Sequence, residues 1–273
     1  MKRLFALIFP LISRLYIFTF ARPSMQNYNK ILFNLALNGM GYNNYTSKKA
    51  TGEEVFLQLL SKYNPNICID IGANIGEYSR MLLETTKSKV IAFEPLPKAF
   101  EELSKILKKY PNRLLAINKG VGNESKEMNI YFGDEKSEHA SFSPEVNQVD
   151  YVNNVNHLKV EITTLDQWFK DNRVDFNEID LLKIDTEGFE YEVLVGAKNT
   201  IETMRPKFIQ IEYNWHQLFK SQSLFSLGLL LTEYTAFQLL PNGSGLSKRD
   251  LTKPESNIYH FSNFVFIRND IHI

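Results

Sequence analysis

Residues 69–79 read IDIGANIGEYS and form the most informative stretch of the chain. An apolar run, NICIDI at 66–71, stops directly before Gly72, which is typical of a buried strand that enters a tight turn. Gly76 follows four residues later, and residues 76–86 have the pattern of a helix. Glycine allows a sharp turn and lets a ligand approach without a Cβ in the way. The stretch therefore predicts a strand, a ligand-binding loop and a helix.

Strand-like and helix-like segments alternate outward from this loop. Further strands are predicted at 89–94, 114–118, 180–185 and 207–212, with helices at 97–109 and 189–203. Strands separated by helices predict a doubly wound, mostly parallel sheet with helices on both faces. Residues 235–240 and 263–268 have no helix pattern between them, so we expect them to form an antiparallel C-terminal edge. The predicted fold is a Rossmann-like α/β sheet of seven strands.

A β excursion is expected between the third and fourth core strands. Residues 127–132 and 159–164 alternate apolar and polar positions with period two, so they are predicted to pair. The segment 133–158 between them is long and polar, which is typical of a mobile or functional loop in a compact domain.

Composition limits the classes of function. The chain has 31 basic and 31 acidic residues, so its charge gives no reason to expect a nucleic-acid partner. Its single cysteine, Cys68, excludes an internal disulfide and a cysteine-based zinc cluster, and fits the reducing cytoplasm. We expect residues 1–50 to be a helical lead-in and residues 51–273 to form one α/β domain.

The lead-in begins with an apolar segment at residues 4–20, after Lys2 and Arg3. Seventeen residues are at the short limit for crossing a bilayer, and Pro10 and Arg14 interrupt the run. We expect this segment to be either an interfacial membrane anchor or a helix packed on the domain. The protein is therefore expected in the cytoplasm, with membrane association as an alternative.

The glycine loop differs from a dinucleotide-binding loop. Asn74 occupies the second glycine position of G-x-G-x-x-G, and Asp70 stands two residues before Gly72. A carboxylate there would repel a pyrophosphate, but it suits an ammonium or sulfonium group such as those of S-adenosylmethionine. Alternatively, Asp70 only caps the turn. Glu94 ends the second strand, 22 residues after Gly72, close to the roughly 20-residue offset at which an acid reaches ribose hydroxyls.

Five segments taken together resemble the FkbM family of methyltransferases over about residues 64–215. They are DIGANIGEYS (70–79), AFEP (92–95), TTLDQW (163–168), LLKIDTEGFEYEVLVGA (181–197) and IQIEYN (209–214). The resemblance implies a class I methyltransferase that uses S-adenosyl-L-methionine to methylate hydroxyl oxygens of sugars, glycolipids or natural products. By position it implies that the cofactor loop comprises Asp70, Gly72, Asn74 and Gly76, with Glu94 as the ribose ligand. In such enzymes the stretch that corresponds to Lys119–Gly122 contacts adenine. This stretch contains no acidic residue here, so the resemblance leaves open whether its backbone makes that contact.

Acidic residues also follow the fourth and fifth strands. Asp185 ends its strand as Asp70 does and is expected to face the cofactor, while Glu187 and Glu212 are candidates for binding or deprotonating an acceptor hydroxyl. Crowded carboxylates would raise one another's pKa or hold a divalent cation, and we expect no metal ion to be required. Glu190 and Glu192 are interpreted as acids that complement a helix N-terminus.

Neighbouring residues keep alternative interpretations. Lys183 is expected to pair with one of the acids or to contact substrate, and His216 is a further candidate for the acceptor side. Trp215 and Tyr213 would form the floor of an acceptor pocket or belong to the core.

Two other functions share this sequence plan. An NAD(P)-dependent oxidoreductase has a strand, a glycine loop and an acid, but Asn74 and Asp70 argue against it. A non-catalytic binding module would keep the cofactor loop without turnover, and the acids at 185, 187 and 212 argue against that. The expected partner is a small-molecule or glycan hydroxyl acceptor.

Overall fold

A computed structural model describes residues 2–47, 49–134 and 139–272, with the side chains of the first helix from residue 8 onward. The chain forms two compact units, Met1–Asn43 and Asn44–Ile273. In the first unit, helix α1 (Lys2–Phe20) contains Pro10 and is followed by a 3₁₀ turn and helix α2 (Gln26–Gly39). Among the described residues, no helix combines the length and the apolar character needed to cross a membrane.

The second unit alternates strands and helices, as the sequence predicts. Its helices are α3 (Glu53–Ser61), α4 (Glu77–Thr85), α5 (Pro97–Leu107), α6 (Leu165–Asp171), α7 (Glu190–Gly196), α8 (Lys198–Met204), α9 (His216–Phe219) and α10 (Leu224–Gly228). Its strands are β1 (Ile67–Ile71), β2 (Lys89–Phe93), β3 (Leu114–Ile117), β4 (Gly120–Val121), β5 (Lys126–Phe132), β6 (Asn156–Thr163), β7 (Leu181–Ile184), β8 (Phe208–Tyr213), β9 (Tyr234–Leu239), β10 (Leu246–Lys248) and β11 (Ser262–Arg268).

The main sheet confirms the predicted Rossmann-like architecture. Its strand order is β10-β9-β11-β8-β7-β1-β2-β3, in which β3, β2, β1, β7 and β8 are parallel and β11, β9 and β10 add an antiparallel edge. The sheet has eight strands where the sequence predicts seven. The extra strand is β10, which pairs with β9 because a 3₁₀ turn at Pro241–Gly243 reverses the chain between them.

Helices cover both faces of the sheet, and this buries β1 completely. Val90 and Ala92 of β2 belong to a core cluster that includes Phe56 of α3, Leu82 of α4 and Leu103 of α5. On the opposite face, the ring of Phe93 meets that of Trp168 in α6 edge to face, with centroids 5.4 Å apart. A strand buried on both faces reads as a continuous apolar run, which is why NICIDI is recognisable in the sequence.

The predicted helix at 189–203 is two helices. α7 ends at Gly196 and α8 begins at Lys198, with Ala197 between them, next to a close approach between backbones. A Cβ added to Gly196 would lie 1.9 Å from the carbonyl oxygen of Gly122. The helix is therefore interrupted where Gly196 packs against another part of the backbone, and the side-chain periodicity of the sequence does not predict this interruption.

A small second sheet has the order β4-β6-β5, and its antiparallel β5–β6 pair confirms the predicted β excursion. The predicted mobile segment lies between these two strands. Residues 135–138 of it are outside the described residues. From residue 139 onward it is packed, because Val146, Val149 and Val152 are buried in a cluster with Trp215 and Phe219.

Candidate active site

The candidate site lies along the carboxyl edge of β1, β2, β7 and β8. β1 pairs in parallel with β2 and β7, and β7 pairs in parallel with β8. Parallel strands end at the same edge, where open α/β sheets bind their ligands. The acids predicted for the site all lie at or just beyond the ends of these strands: Asp70, Glu94, Asp185, Glu187 and Glu212.

The first part of the glycine loop is held against the neighbouring strands. The N–H groups of Gly72 and Ala73 donate to the carbonyl of Phe93 at 3.1 and 2.9 Å. Gly72 has a φ of +79°, and a Cβ there would lie 1.7 Å from the carbonyl oxygen of Asp185. Glycine is therefore required for the loop to lie this close to the end of β7.

The second part of the loop turns into α4 through two left-handed residues. Asn74 has a φ of +47° and Gly76 a φ of +86°, a region that favours glycine and asparagine. The N–H of Gly76 donates to the carbonyl of Ala73 at 2.8 Å, and α4 begins at Glu77. The four predicted cofactor-loop positions thus lie in one continuous strand–turn–helix.

Glu94 ties the end of β2 to the glycine loop. Its carboxylate accepts hydrogen bonds from the N–H of Asn74 at Oε2 and from the N–H of Leu96 at Oε1, both at 2.8 Å. Burial raises the pKa of Glu94 to about 7, against the lowering effect of these two donors. Each carboxylate oxygen keeps a second lone-pair direction for a ligand.

Asp70 is fully buried beneath the loop. Its Oδ2 accepts a hydrogen bond from the Ser79 hydroxyl at 2.7 Å, and its Oδ1 lies 3.6 Å from Nζ of Lys183. Nζ of Lys183 is also 3.0 Å from Oδ2 of Asp185 and 4.9 Å from the ring centre of Tyr78. Burial alone would lower the pKa of Lys183, but Asp185 and Asp70 raise it above its usual range. Lys183 therefore bridges the two acids, and Asp185, with 26% of its side chain exposed, is the one that faces outward.

The acids at or just beyond the ends of β7 and β8 form a second group around His216. Glu187 has a φ of +52°, and its Oε2 lies 2.6 Å from Nδ1 of the buried His216. Its Oε1 lies 3.6 Å from Nδ1 of His139. The Asn214 amide donates to Glu212 at 3.0 Å and to Glu187 at 3.4 Å. The structure therefore brings Glu187, Glu212 and His216 together, as the sequence predicts.

The two glutamates of this group titrate in opposite directions. Burial would raise the pKa of Glu187, but hydrogen bonding from His139 and His216 outweighs it and lowers that pKa to about 2. Burial, together with the charges of Asp185 and Glu187, raises the pKa of Glu212 well above its usual range. Carboxylate oxygens of Asp185, Glu187 and Glu212 lie within 4.8 Å of one another, a donor set that a hard divalent cation also accepts.

The carboxylate of Glu190 is held by backbone hydrogen bonds at the start of α7. Its carboxylate accepts hydrogen bonds from the N–H groups of Thr186 at 2.9 Å and Gly188 at 3.1 Å, ahead of the first turn of α7. Burial raises its pKa to about 7. Glu192 lies elsewhere on α7, 3.3 Å from both the Gln222 amide and Nζ of Lys220.

The segment that follows residue 138 packs beside Glu187 and Trp215. The Ser141 hydroxyl donates to the carbonyl of Glu187 at 2.6 Å. Nε1 of Trp215 donates to the Tyr151 hydroxyl at 2.7 Å, and the Tyr151 ring lies 5.2 Å from that of His139. Trp215 is partly exposed here, whereas Tyr213 is fully buried in the core.

The stretch expected to contact adenine follows β3 at the same edge. Gly120–Val121 forms β4, paired with β6, and the N–H of Gly122 donates to the carbonyl of Thr163 at 3.0 Å. Nζ of Lys119 lies 2.7 Å from the carboxylate of Glu161.

This arrangement can be compared with known proteins. The sequence profile of the methyltransferase FkbM domain matches residues 70–237, more than half of the chain. The chain belongs to this family. The match confirms the resemblance seen in the sequence, and it begins at Asp70 and includes every residue predicted for the site. An NAD(P)-dependent oxidoreductase is therefore the weaker interpretation.

Two curated relatives of this FkbM-family chain have names that specify a sugar acid or methylation at an oxygen. Hexuronic acid methyltransferase AglP of Haloferax volcanii is 24% identical over 165 residues, which are 59% of this chain and 62% of AglP. The 2-O-methyltransferase NoeI of Sinorhizobium fredii is 26% identical over 193 residues, 67% of this chain and 76% of NoeI. The chain thus spans less than two thirds of AglP.

A solved structure, methyltransferase FkbM from Methylobacillus flagellatus, superposes with a TM-score of 0.46 and 18% identity. The superposition covers 74% of this chain and 43% of that one.

Proposed function

We propose that this FkbM-family chain is an O-methyltransferase that uses S-adenosyl-L-methionine and methylates a hydroxyl of a sugar-type acceptor. The observation that carries the proposal is the meeting of two groups of carboxylates at one sheet edge. Glu94 is hydrogen-bonded to the glycine loop, and Asp185, Glu187 and Glu212 lie at or just beyond the ends of β7 and β8.

The residues of the loop fit a cationic adenosyl amino acid. Oδ1 of Asp70 is buried and accepts no hydrogen bond from the described residues, although it lies 3.6 Å from Lys183. Each oxygen of Glu94 accepts one backbone hydrogen bond and keeps a second lone-pair direction for a ribose hydroxyl, and the partly exposed Asp185 adds negative charge at the same edge. S-adenosylmethionine supplies an electrophilic methyl group on a sulfonium. Carboxylates, rather than basic groups, are the appropriate residues for holding that charge.

Glu212 and Glu187 have different proposed roles toward the acceptor. Glu212 is the proposed base, because its raised pKa makes its carboxylate the stronger proton acceptor of the pair. Glu187 is ionised throughout the neutral range and is oriented by His216, so it is suited to accept a hydrogen bond from the acceptor and hold it in line. A positioned base contributes about 10²–10⁴-fold to rate.

The wall of the site supports a sugar-type acceptor. Trp215 and Tyr151 present aromatic rings 5.3 Å apart, with His139 next to Tyr151, and carboxylates stand nearby. Aromatic faces with a few convergent polar groups suit a sugar, which has apolar faces and hydroxyl edges. The names of AglP and NoeI point to the same class.

Methyl transfer is tested directly with S-adenosylmethionine labelled on its methyl group. The purified chain is incubated with hexuronic acid glycosides, neutral hexose glycosides and simple phenols, and label is measured in each product. We expect label in a sugar and little in the phenols. Label in the phenols alone would reject the sugar assignment. Glu212→Gln should lower the transfer at least about 100-fold, whereas Glu202→Gln, an exposed control, should keep it.

A further inference from the structure

The first unit, Met1–Asn43, differs from the rest of the chain in charge. It contains five basic residues and no acidic one. The basic residues are Lys2, Arg3, Arg14, Arg22 and Lys30. Because the whole chain has equal numbers of basic and acidic residues, the remainder is net negative. Positive charge is therefore concentrated in the first unit.

The two helices of this unit carry most of the exposed large apolar side chains among the described residues. Of the 23 exposed large hydrophobic side chains among the described residues, 13 lie within residues 8–35. Leu11 is 70% exposed and Phe18 is 76% exposed. Contiguous apolar surface of this kind marks a site of interaction with another molecule or with a membrane.

The two helices carry this surface in different ways. In α2, Tyr28, Ile31, Leu32 and Leu35 are exposed at the i, i+3, i+4, i+7 spacing of one helix face. In α1, exposed apolar side chains occupy consecutive positions from 15 to 18, so they surround most of the helix. A partner that buries only a narrow stripe would leave much of α1 uncovered.

Local contacts join the two helices. The Tyr16 hydroxyl donates to the Asn29 side chain at 2.5 Å, and the Asn29 amide donates to the carbonyl of Phe20 at 3.0 Å. The guanidinium of Arg22 lies 5.8 Å from the ring centre of Phe18. Basic and apolar groups are thus presented together on one preformed unit.

We propose that α1 and α2 bind the surface of an anionic lipid bilayer, with apolar side chains at the acyl boundary and basic ones among the headgroups. Charge complementarity favours this occupant over a second copy of the chain. Two copies would bring five positive charges against five others, whereas anionic headgroups neutralise them. Pro10 and Arg14 fit a helix that lies along the interface.

Vesicle sedimentation with the full chain tests the proposal. Vesicles of phosphatidylcholine alone are compared with vesicles that also contain phosphatidylglycerol, at low and high salt. We expect binding to the anionic vesicles only, weakened by salt. Each basic residue near such a surface changes affinity by about fivefold, so Arg14→Glu/Arg22→Glu/Lys30→Glu should reduce binding by at least about 100-fold. The matched reversal of exposed lysines, Lys62→Glu/Lys108→Glu/Lys170→Glu, should leave binding unchanged.

A second variant separates apolar insertion from charge. Leu11→Ser/Leu15→Ser/Phe18→Ser keeps every charge and should also lose vesicle binding, while its thermal unfolding matches wild type because these side chains are exposed. Equal binding to both vesicle types, or to neither, would overturn the proposal. So would a dimer in sedimentation equilibrium that the serine variant dissociates, since that outcome identifies a second copy as the occupant.

Discussion

The carboxylate of Glu94 accepts a hydrogen bond from the backbone N–H of Asn74 at 2.8 Å. This contact joins the end of β2 to the middle of the glycine loop, two elements that the sequence assigns separately to one ligand. The loop and the proposed ribose ligand are therefore parts of one structure, and a change at Glu94 acts on both.

Replacement of Glu94 should weaken cofactor binding more than it weakens the fold. Glu94→Ala removes a charged acceptor for ribose hydroxyls, a loss of about 1.5–3 kcal/mol, or about 10- to 150-fold in affinity for S-adenosylhomocysteine. It also leaves the N–H groups of Asn74 and Leu96 without their acceptor. Calorimetry measures the affinity, with the exposed Glu202→Ala as control. Unaltered affinity in Glu94→Ala would defeat the cofactor assignment.

Cofactor affinity should depend on pH through the same carboxyl. Because burial raises the pKa of Glu94 to about 7, the group gains a proton as the pH falls below that value. The protonated oxygen becomes a donor and accepts hydrogen bonds from ribose hydroxyls less well. The affinity for S-adenosylhomocysteine should therefore fall from pH 8 to pH 6, by about the amount that the titration of one group produces. Glu94→Gln should bind more weakly and show no such dependence. A pH-independent wild type contradicts this assignment.

Gly72 should tolerate no side chain. The Cβ of Gly72→Ala would lie 1.7 Å from the Asp185 carbonyl at a positive φ, so the loop or β7 must move. We expect a loss of unfolding free energy of several kcal/mol, on the order of other strained or overpacked sites, together with lost cofactor binding. Gly39→Ala is the matched control, because nothing described lies within 4 Å of its added Cβ. Similar melting temperatures for the two variants would be the opposing result.

Lys183 should be essential to stability rather than only to turnover. Lys183→Met leaves Asp70 and Asp185 without their shared cation, and removing one partner of a buried ion pair costs about 3–5 kcal/mol. Denaturant unfolding measures the change, and the exposed Lys62→Met should stay within about 0.5 kcal/mol of wild type. If both variants unfold at the same denaturant concentration, Lys183 does not hold these acids.

The acceptor acids should affect turnover and spare cofactor binding. Glu212→Gln removes the proposed base and should lower kcat by about 10²–10⁴-fold, with S-adenosylhomocysteine affinity nearly unchanged. In wild type, kcat should rise with pH, because Glu212 must lose its proton and its pKa is raised. A full loss of cofactor affinity in Glu212→Gln would instead place this residue in the cofactor site.

Chelation should leave activity intact. Lys183 lies 3.0 Å from Asp185, the Asn214 amide donates to Glu212 at 3.0 Å, and two histidines stand beside Glu187, so each of the three clustered carboxylates already has a partner without a cation. We therefore expect full methyl transfer after dialysis against EDTA. Loss of activity that Mg²⁺ or Mn²⁺ restores would assign a metal to Asp185, Glu187 and Glu212.

The sequence predicted those parts of the site that lie in one strand–turn–helix or at a strand end. Asp70, Gly72 and Glu94 are recognisable because the parallel sheet places every strand end at one edge. The bridge from Lys183 to an acid was predicted as one alternative. That it joins Asp70 to Asp185 follows from the pairing of β1 with β7, which places Asp70 opposite Lys183.

The side chains that we propose as the wall of the acceptor site were not predictable from the sequence. His139, Ser141 and Tyr151 come from a segment without periodicity, and Ser141 contacts Glu187 across 46 residues of chain. Only the unusual length of that segment indicated a functional role. Its packing depends on contacts between valines and Trp215 that are distant in sequence.

Thermal unfolding with S-adenosylhomocysteine and with NAD tests the central claim that the carboxylates around the glycine loop hold a cationic adenosyl amino acid. At 100 times its dissociation constant, a ligand of the native state adds about 2.7 kcal/mol to the free energy of unfolding. We predict that S-adenosylhomocysteine raises the melting temperature and NAD leaves it unchanged. A rise with NAD, or none with S-adenosylhomocysteine at saturating concentration, would contradict the account.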